Sequence, residues 1–121
     1  SLSQSKNFEK AQEHQRVATE RLAQKEKYIG DFYFKRNLFD SAAKRFQKIT
    51  EEYSASSVEE TAYWLWGKSL LEHSNQNITP EEKLAIKERI KKTYQTYLEK
   101  FPNGKYVVNV KLEIKKMENY P

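Results

Sequence analysis

Ile29-Gly30-Asp31-Phe32-Tyr33-Phe34-Lys35-Arg36-Asn37-Leu38-Phe39-Asp40-Ser41-Ala42-Ala43-Lys44-Arg45-Phe46 is the stretch on which the fold turns. Asn37 divides it, standing where a residue in the left-handed conformation ends a helix. Upstream, a helix is predicted from about Lys6 to Arg36, with no Gly or Pro before Gly30. Ala11, Ala18, Leu22, Ile29, Phe32 and Tyr33 make its expected apolar face. Unbroken, it would be ~45 Å long. Its polar half before Leu22 is not stable alone in water, so it is expected to lean on something. Downstream, Ala42, Phe46, Ile49 and Tyr53 are spaced 4, 3, 4, which is one face of a second helix over about 39–53. Small Gly30 and Ala42 are expected to let the two helices approach closely, while the aromatics Tyr33 and Phe46 fill the groove between neighbouring units.

Three more helices follow. A third is predicted over about 58–73, with Ser57 and Glu60 as a capping box and Val58, Ala62 and Leu65 as one stripe. Tyr63, Trp66 and Leu70 widen that stripe, so this helix is expected to be covered on two sides. Thr79-Pro80-Glu81-Glu82 opens a fourth helix, with Thr79 as cap and Pro80 in the tolerated first turn. It carries Ile86, Ile90, Tyr94, Tyr97 and Phe101, and Pro102-Asn103-Gly104 stops it. A fifth runs over about 105–119 on Val107, Val110, Ile114 and Met117.

The helices repeat in pairs. Ile29-Gly30 is matched by Trp66-Gly67, and Glu51-Glu52-Tyr53-Ser54 by Glu99-Lys100-Phe101-Pro102. Helix, turn, helix and an aromatic stop resemble the tetratricopeptide pattern of roughly 34 residues per unit. Gly30, Tyr33, Ala42 and Phe46 fall at that spacing, and Ser54 stands in place of the usual Pro. In the second unit the matching small position is expected at Thr79 but falls at Ile90, so about eleven residues are inserted. The expected fold is therefore all-α: antiparallel tetratricopeptide-type helix pairs in a right-handed stack of about five helices. It forms a single domain over 1–121, with a long lead-in helix over 6–36 and repeat one over about 23–56. Repeat two, with the insertion, covers about 57–102, and a capping helix about 105–119. Ala42, Phe46, Leu65, Ile90, Tyr94 and Phe101 are expected in the core.

Composition narrows the chemistry. There is no cysteine, which removes disulfides, thiolate metal sites and cysteine nucleophiles together. His14 and His73 have no second ligand at metal spacing, so no metal site is expected. The pairs Glu51-Glu52, Glu59-Glu60 and Glu81-Glu82 are helix neighbours pointing about 100° apart, which prevents a carboxylate dyad. No Gly-rich phosphate loop exists. No catalytic activity and no cofactor are expected.

The net charge of +5 is uneven. Residues 83–116 hold ten basic and three acidic residues, whereas residues 1–82 sum to −1. Lys83, Lys87 and Lys91 share a stripe, but no aromatics interleave with them for base stacking, so nucleic acid is not an expected partner. The basic excess reads as a solvated helix face, with an acidic partner or anionic lipid as the alternative. No apolar run approaches a membrane span.

Glu20-Arg21-Leu22-Ala23 through Phe32-Tyr33-Phe34-Lys35-Arg36, with Ala42-Ala43-Lys44-Arg45-Phe46 and Glu52-Tyr53, resembles the BamD family, over about residues 10–75. Phe101-Pro102-Asn103-Gly104-Lys105-Tyr106 resembles repeat endings of the same family. These are tetratricopeptide lipoproteins of the bacterial outer-membrane β-barrel assembly machine, with five repeats and a lipidated N-terminal Cys. The resemblance is to the C-terminal half. It implies a non-catalytic scaffold at the periplasmic face of the outer membrane, docking on POTRA domains of BamA-like proteins and helping to hold accessory Bam lipoproteins. Membrane contact would come only through a lipid anchor that this stretch of chain does not carry. Another envelope tetratricopeptide adaptor, of the Tol-Pal or pilus/secretin type, is the alternative.

Four residues are expected to bind partners. Arg45 and Lys48 lie with Ser41 and Glu52 on a stripe beside the buried stripe of helix two, expected to face solvent. The resemblance implies that Arg45 matches an Arg on the POTRA-facing side. Trp64 and Lys68 are expected on the concave side with Lys27, Asp31, Lys35 and Leu71, Trp64 acting as an anchor unless helix four or the inserted loop covers it. Asp31 would repel a terminal carboxylate, so a chaperone-tail clamp is not expected.

Overall fold

The computed structural model describes residues 1–119; the expected domain of 1–121 includes two residues, 120 and 121, that lie outside the described residues. Five helices and no strand are found among the described residues: α1 (Leu2–Lys35), α2 (Phe39–Glu52), α3 (Glu59–Ser74), α4 (Pro80–Lys100) and α5 (Val107–Asn119). Each packs on the next in chain order. This is consistent with tetratricopeptide-type helix pairs.

Local chemistry sets most helix ends. Ser1 caps α1, its hydroxyl accepting the Gln4 N–H while the Gln4 side chain reaches back. At the other end Asn37 has φ 61°. The Leu38 N–H donates to the Tyr33 carbonyl and the Asn37 N–H to the Phe34 carbonyl, closing a Schellman turn. The Thr79 hydroxyl accepts the Glu82 N–H at 3.1 Å with Pro80 in the first turn.

Two of these readings change. Ser57 and Glu60 do not form a capping box. Val58 occupies the cap position of α3 with no side-chain bond to the helix. Ser57 instead turns to α1, where its hydroxyl donates to the Glu20 carboxylate and its N–H donates to the same group at 2.9 Å. Glu60 accepts from the Tyr97 hydroxyl at 2.7 Å and the Lys105 N–H at 2.9 Å, tying α3 to the end of α4 and the turn beyond it. For Glu60 the tertiary partner wins because it satisfies the hydroxyl of buried Tyr97, which would otherwise be unpaired.

The second change concerns α1. Its buried residues are Ala23, Glu26 and Gly30, not the stripe through Ala18, Leu22 and Phe32, which is exposed. The choice follows from backbone distance. A Cβ on Gly30 would lie 2.6 Å from the Phe46 ring, and one on Gly67 would overlap the Tyr94 ring. Each α1–α2 and α3–α4 crossing is thus closed by an aromatic of the second helix seated on a glycine of the first. Such a close crossing needs a small-residue face. Of the polar half of α1, residues 1–16 are all exposed, while Glu20 is held by Ser57.

The core forms two clusters that meet at α3. Ala23, Ala42, Phe46, Ile49, Val58 and Ala62 fill the α1–α2–α3 side. Tyr63, Leu70, Ile90, Tyr94, Tyr97 and Val110 dominate the α3–α4–α5 side. Helix α3 is accordingly covered on two sides. Leu65 and Phe101, expected in the core, are only half-buried at its margin.

Candidate docking surface

The α1–α2 crossing brings a carboxylate and two cations together. Glu26 lies between Ala23 and Gly30 on the buried stripe of α1. Its side chain is 8% exposed. Arg45 Nη1 donates to Glu26 Oε2 at 3.2 Å, and Lys48 Nζ lies 3.3 Å from Oε1. Both cations come from the α2 stripe expected to face solvent. Instead they lean over the crossing and remain 37% and 39% exposed. The hydrogen bond to Glu26 raises the pKa of both, so each keeps its charge. One carboxylate against two cations leaves a net positive edge, held in place and half open to solvent.

Sequence reasoning named Arg45 and Lys48 as solvent-facing residues and did not name Glu26, the carboxylate that draws them over the crossing. The signal is present in hindsight. Ala23, Glu26 and Gly30 are spaced 3 and 4, so a charged residue sits inside a small-residue face and needs a cation from the facing helix.

Trp64 and Lys68 form a separate pair on α3. Lys68 Nζ stands 5.6 Å from the Trp64 ring centre. The indole is half-buried, because the Tyr106 ring stacks on it at 5.5 Å and the Tyr94 ring at 6.1 Å. Helix α4 and the residue leading to α5 therefore take much of the ring expected to serve as a free anchor. On α1, Lys27 pairs with Asp31 at 2.8 Å.

The basic C-terminal region lines two shallow grooves. One, of about 380 Å³, has Leu71, Ile90 and Met117 with Lys83 and Lys116 beside them. Another lies over Tyr63 and Trp66, flanked by Arg89 and Lys92. Among the described residues no His, Cys, Asp or Glu cluster is arranged to hold a metal ion. The His73 imidazole contacts the Gln76 side chain at 3.0 Å. No described helix is long and apolar enough to cross a membrane.

The described residues thus form consecutively packed helices with one carboxylate and two cations gathered at the α1–α2 crossing. The profile of the YfiO family, described as outer membrane lipoprotein, matches residues 3–63, which is α1, α2 and the first turn of α3. The chain belongs to this BamD-like family of outer-membrane lipoproteins. No curated protein sequence matches it significantly. The matched stretch contains Glu26, Arg45 and Lys48; Trp64, Lys68 and the inserted region lie beyond it.

Proposed function

We propose that the chain is a non-catalytic protein–protein scaffold of the outer-membrane β-barrel assembly machine, docking from the periplasmic side on POTRA domains of a BamA-like protein. Accessory lipoproteins of the same machine are its other partners. In this reading repeat one spans about 23–56, repeat two with its insertion about 57–102, and α5 caps the stack. The observation that carries the proposal is the Glu26–Arg45–Lys48 cluster within the family-matched stretch. Arg45 is already oriented by Glu26, and an oriented guanidinium holds a partner carboxylate with two parallel bonds at little further ordering cost. Trp64 and Lys68 give a second, flatter contact area.

The test is calorimetric titration with the cognate POTRA fragment. Arg45→Gln keeps Lys48 on Glu26 and so keeps the crossing intact. If the guanidinium pairs with a carboxylate that is buried on docking, binding weakens by roughly 2–5 kcal/mol. Unchanged affinity with a folded Arg45→Gln removes Arg45 from the interface.

A further inference from the structure

The second helices of the two pairs, α2 and α4, leave a groove of about 400 Å³ between them over α3. Its floor is Tyr63 and the half-buried Trp66. Helix α1 packs on the helix of one wall and α5 on that of the other, so the groove is bounded within the chain. The α4 wall is cationic. Arg89 and Lys92 lie about one turn apart on it, both exposed. Neither has an ion-pair partner among the described residues. Lys91 and Glu88 stand beside them on the same helix, so three cations face one carboxylate there. The other cations near the groove are paired: Lys44 with Asp40, Lys48 with Glu26 and Lys100 with Glu59.

The rest of the groove is short of donors. The hydroxyls of Thr50, Thr93 and Thr96 each donate to a carbonyl of their own helix, at 2.7, 2.8 and 2.9 Å, so none donates to an incoming group. On the α2 wall the Glu51 carboxylate accepts from the Gln47 amide at 2.8 Å and keeps lone pairs for a second donor. An occupant must therefore bring anions to α4 and N–H donors to α2. A polypeptide with acidic side chains carries both, whereas a phosphate polymer or lipid headgroup meets Glu51 with like charge. We infer that this groove binds an extended acidic segment of a partner protein, its carboxylates on Arg89 and Lys92 and its backbone N–H groups toward Glu51. From Arg89 to Thr96 the wall is about 10 Å long, room for about three extended residues. Side chains on alternate residues of such a segment share one face, which lets two carboxylates reach two cations a turn apart. The groove shares no residue with the Glu26–Arg45–Lys48 cluster, and it rests on the scaffold reading only in taking a protein as its occupant.

The probe is a peptide of about six residues alternating glutamate with valine, roughly 20 Å when extended. Titrated into the isotope-labelled whole chain, it is expected to saturate and to move the amide resonances of Glu51, Trp66, Arg89 and Lys92, with binding weakened by added salt. Joint Arg89→Ala and Lys92→Ala substitution is expected to lower the affinity roughly tenfold. The melting temperature should hold, because both side chains are exposed and unpaired. Arg45→Gln is expected to leave peptide binding unchanged, so failure at this groove and failure of POTRA docking are read separately. The inference is overturned if the peptide shows no saturable shifts, if its affinity survives the double substitution, or if the same peptide with lysine in place of glutamate binds as well. Vesicles rich in phosphatidylglycerol that bind the chain but not the double variant, with no peptide binding, would assign the two cations to a lipid surface and overturn it too.

Discussion

Glu26 and Arg45 meet at 3.2 Å across the α1–α2 crossing, the carboxylate almost fully buried and the guanidinium half open. The asymmetry fixes what each residue does. Glu26 must be neutralised from within the fold, whereas Arg45 keeps part of its guanidinium open to solvent. Substitution at the two positions therefore has unequal consequences.

Glu26→Ala removes an acceptor shared by two cations and is expected to destabilise the chain by about 1–3 kcal/mol, since Arg45 and Lys48 can still be hydrated. Arg45→Glu places a second carboxylate against Glu26 and is expected to lower the melting temperature as well. A free solvent-facing Arg45 would have tolerated that change. Denaturant titration of both variants checks the assignment; a wild-type midpoint for Glu26→Ala contradicts it.

Gly30→Ala and Gly67→Ala are expected to destabilise by about 1–3 kcal/mol through overpacking. Helix propensity alone argues the opposite sign, since Ala favours a helix over Gly by about 1 kcal/mol. The added Cβ would strike the rings of Phe46 and Tyr94 respectively. Phe46→Ala, which empties the fully buried site, is expected to cost roughly 3–5 kcal/mol. Combining Gly30→Ala with Phe46→Leu should recover part of the Gly30→Ala loss, and strict additivity in thermal melts would disprove the contact.

Tyr97 sets an alkaline limit. Burial, reinforced by its hydrogen bond to Glu60, pushes its phenol up to about 12 from an ordinary 10. Its folded-state pKa is raised, so its contribution is complete below about pH 10. It is lost as pH rises toward 12, because the unfolded chain ionises first. Melting temperature is expected to fall across that window, and Tyr97→Phe should flatten the fall while lowering stability at neutral pH. An equal alkaline slope in both proteins would show that other groups dominate.

Ser57 and Thr79 look alike in sequence and should behave differently. Thr79→Ala removes a helix cap and is expected to cost about 1 kcal/mol at all pH values. Ser57→Ala removes the leading hydrogen bond that holds the Glu20 carboxyl below the usual range. A depressed folded-state pKa stabilises above the unfolded value and is lost as pH falls through the folded one. The Ser57→Ala deficit, at most about 1 kcal/mol for this exposed contact, should therefore shrink toward zero in acid. A deficit independent of pH would return Ser57 to the role of a simple cap.

The sequence by itself determined where the helices lie and how they repeat in pairs. Asn37, Thr79-Pro80 and the 3–4 spacings act within a turn or two of backbone, so their meaning does not depend on what packs nearby. Gly30 and Gly67 were legible as positions repeated in register, but that Phe46 and Tyr94 seat on them was decided by the packing. Only the tertiary structure decided which face of α1 is buried. Ala18–Leu22–Phe32 and Ala23–Glu26–Gly30 are neighbouring stripes on one helix, and apolar content favours the first. The close approach of α2 selects the second, because only small side chains fit under Phe46. That choice buries Glu26, draws Arg45 and Lys48 inward, and leaves the more apolar stripe on the outside. Ser57, Glu60 and Trp64 were misread or left open on the same ground: their partners Glu20, Tyr97 and Tyr106 lie 37, 37 and 42 residues away, and only packing brings them within reach.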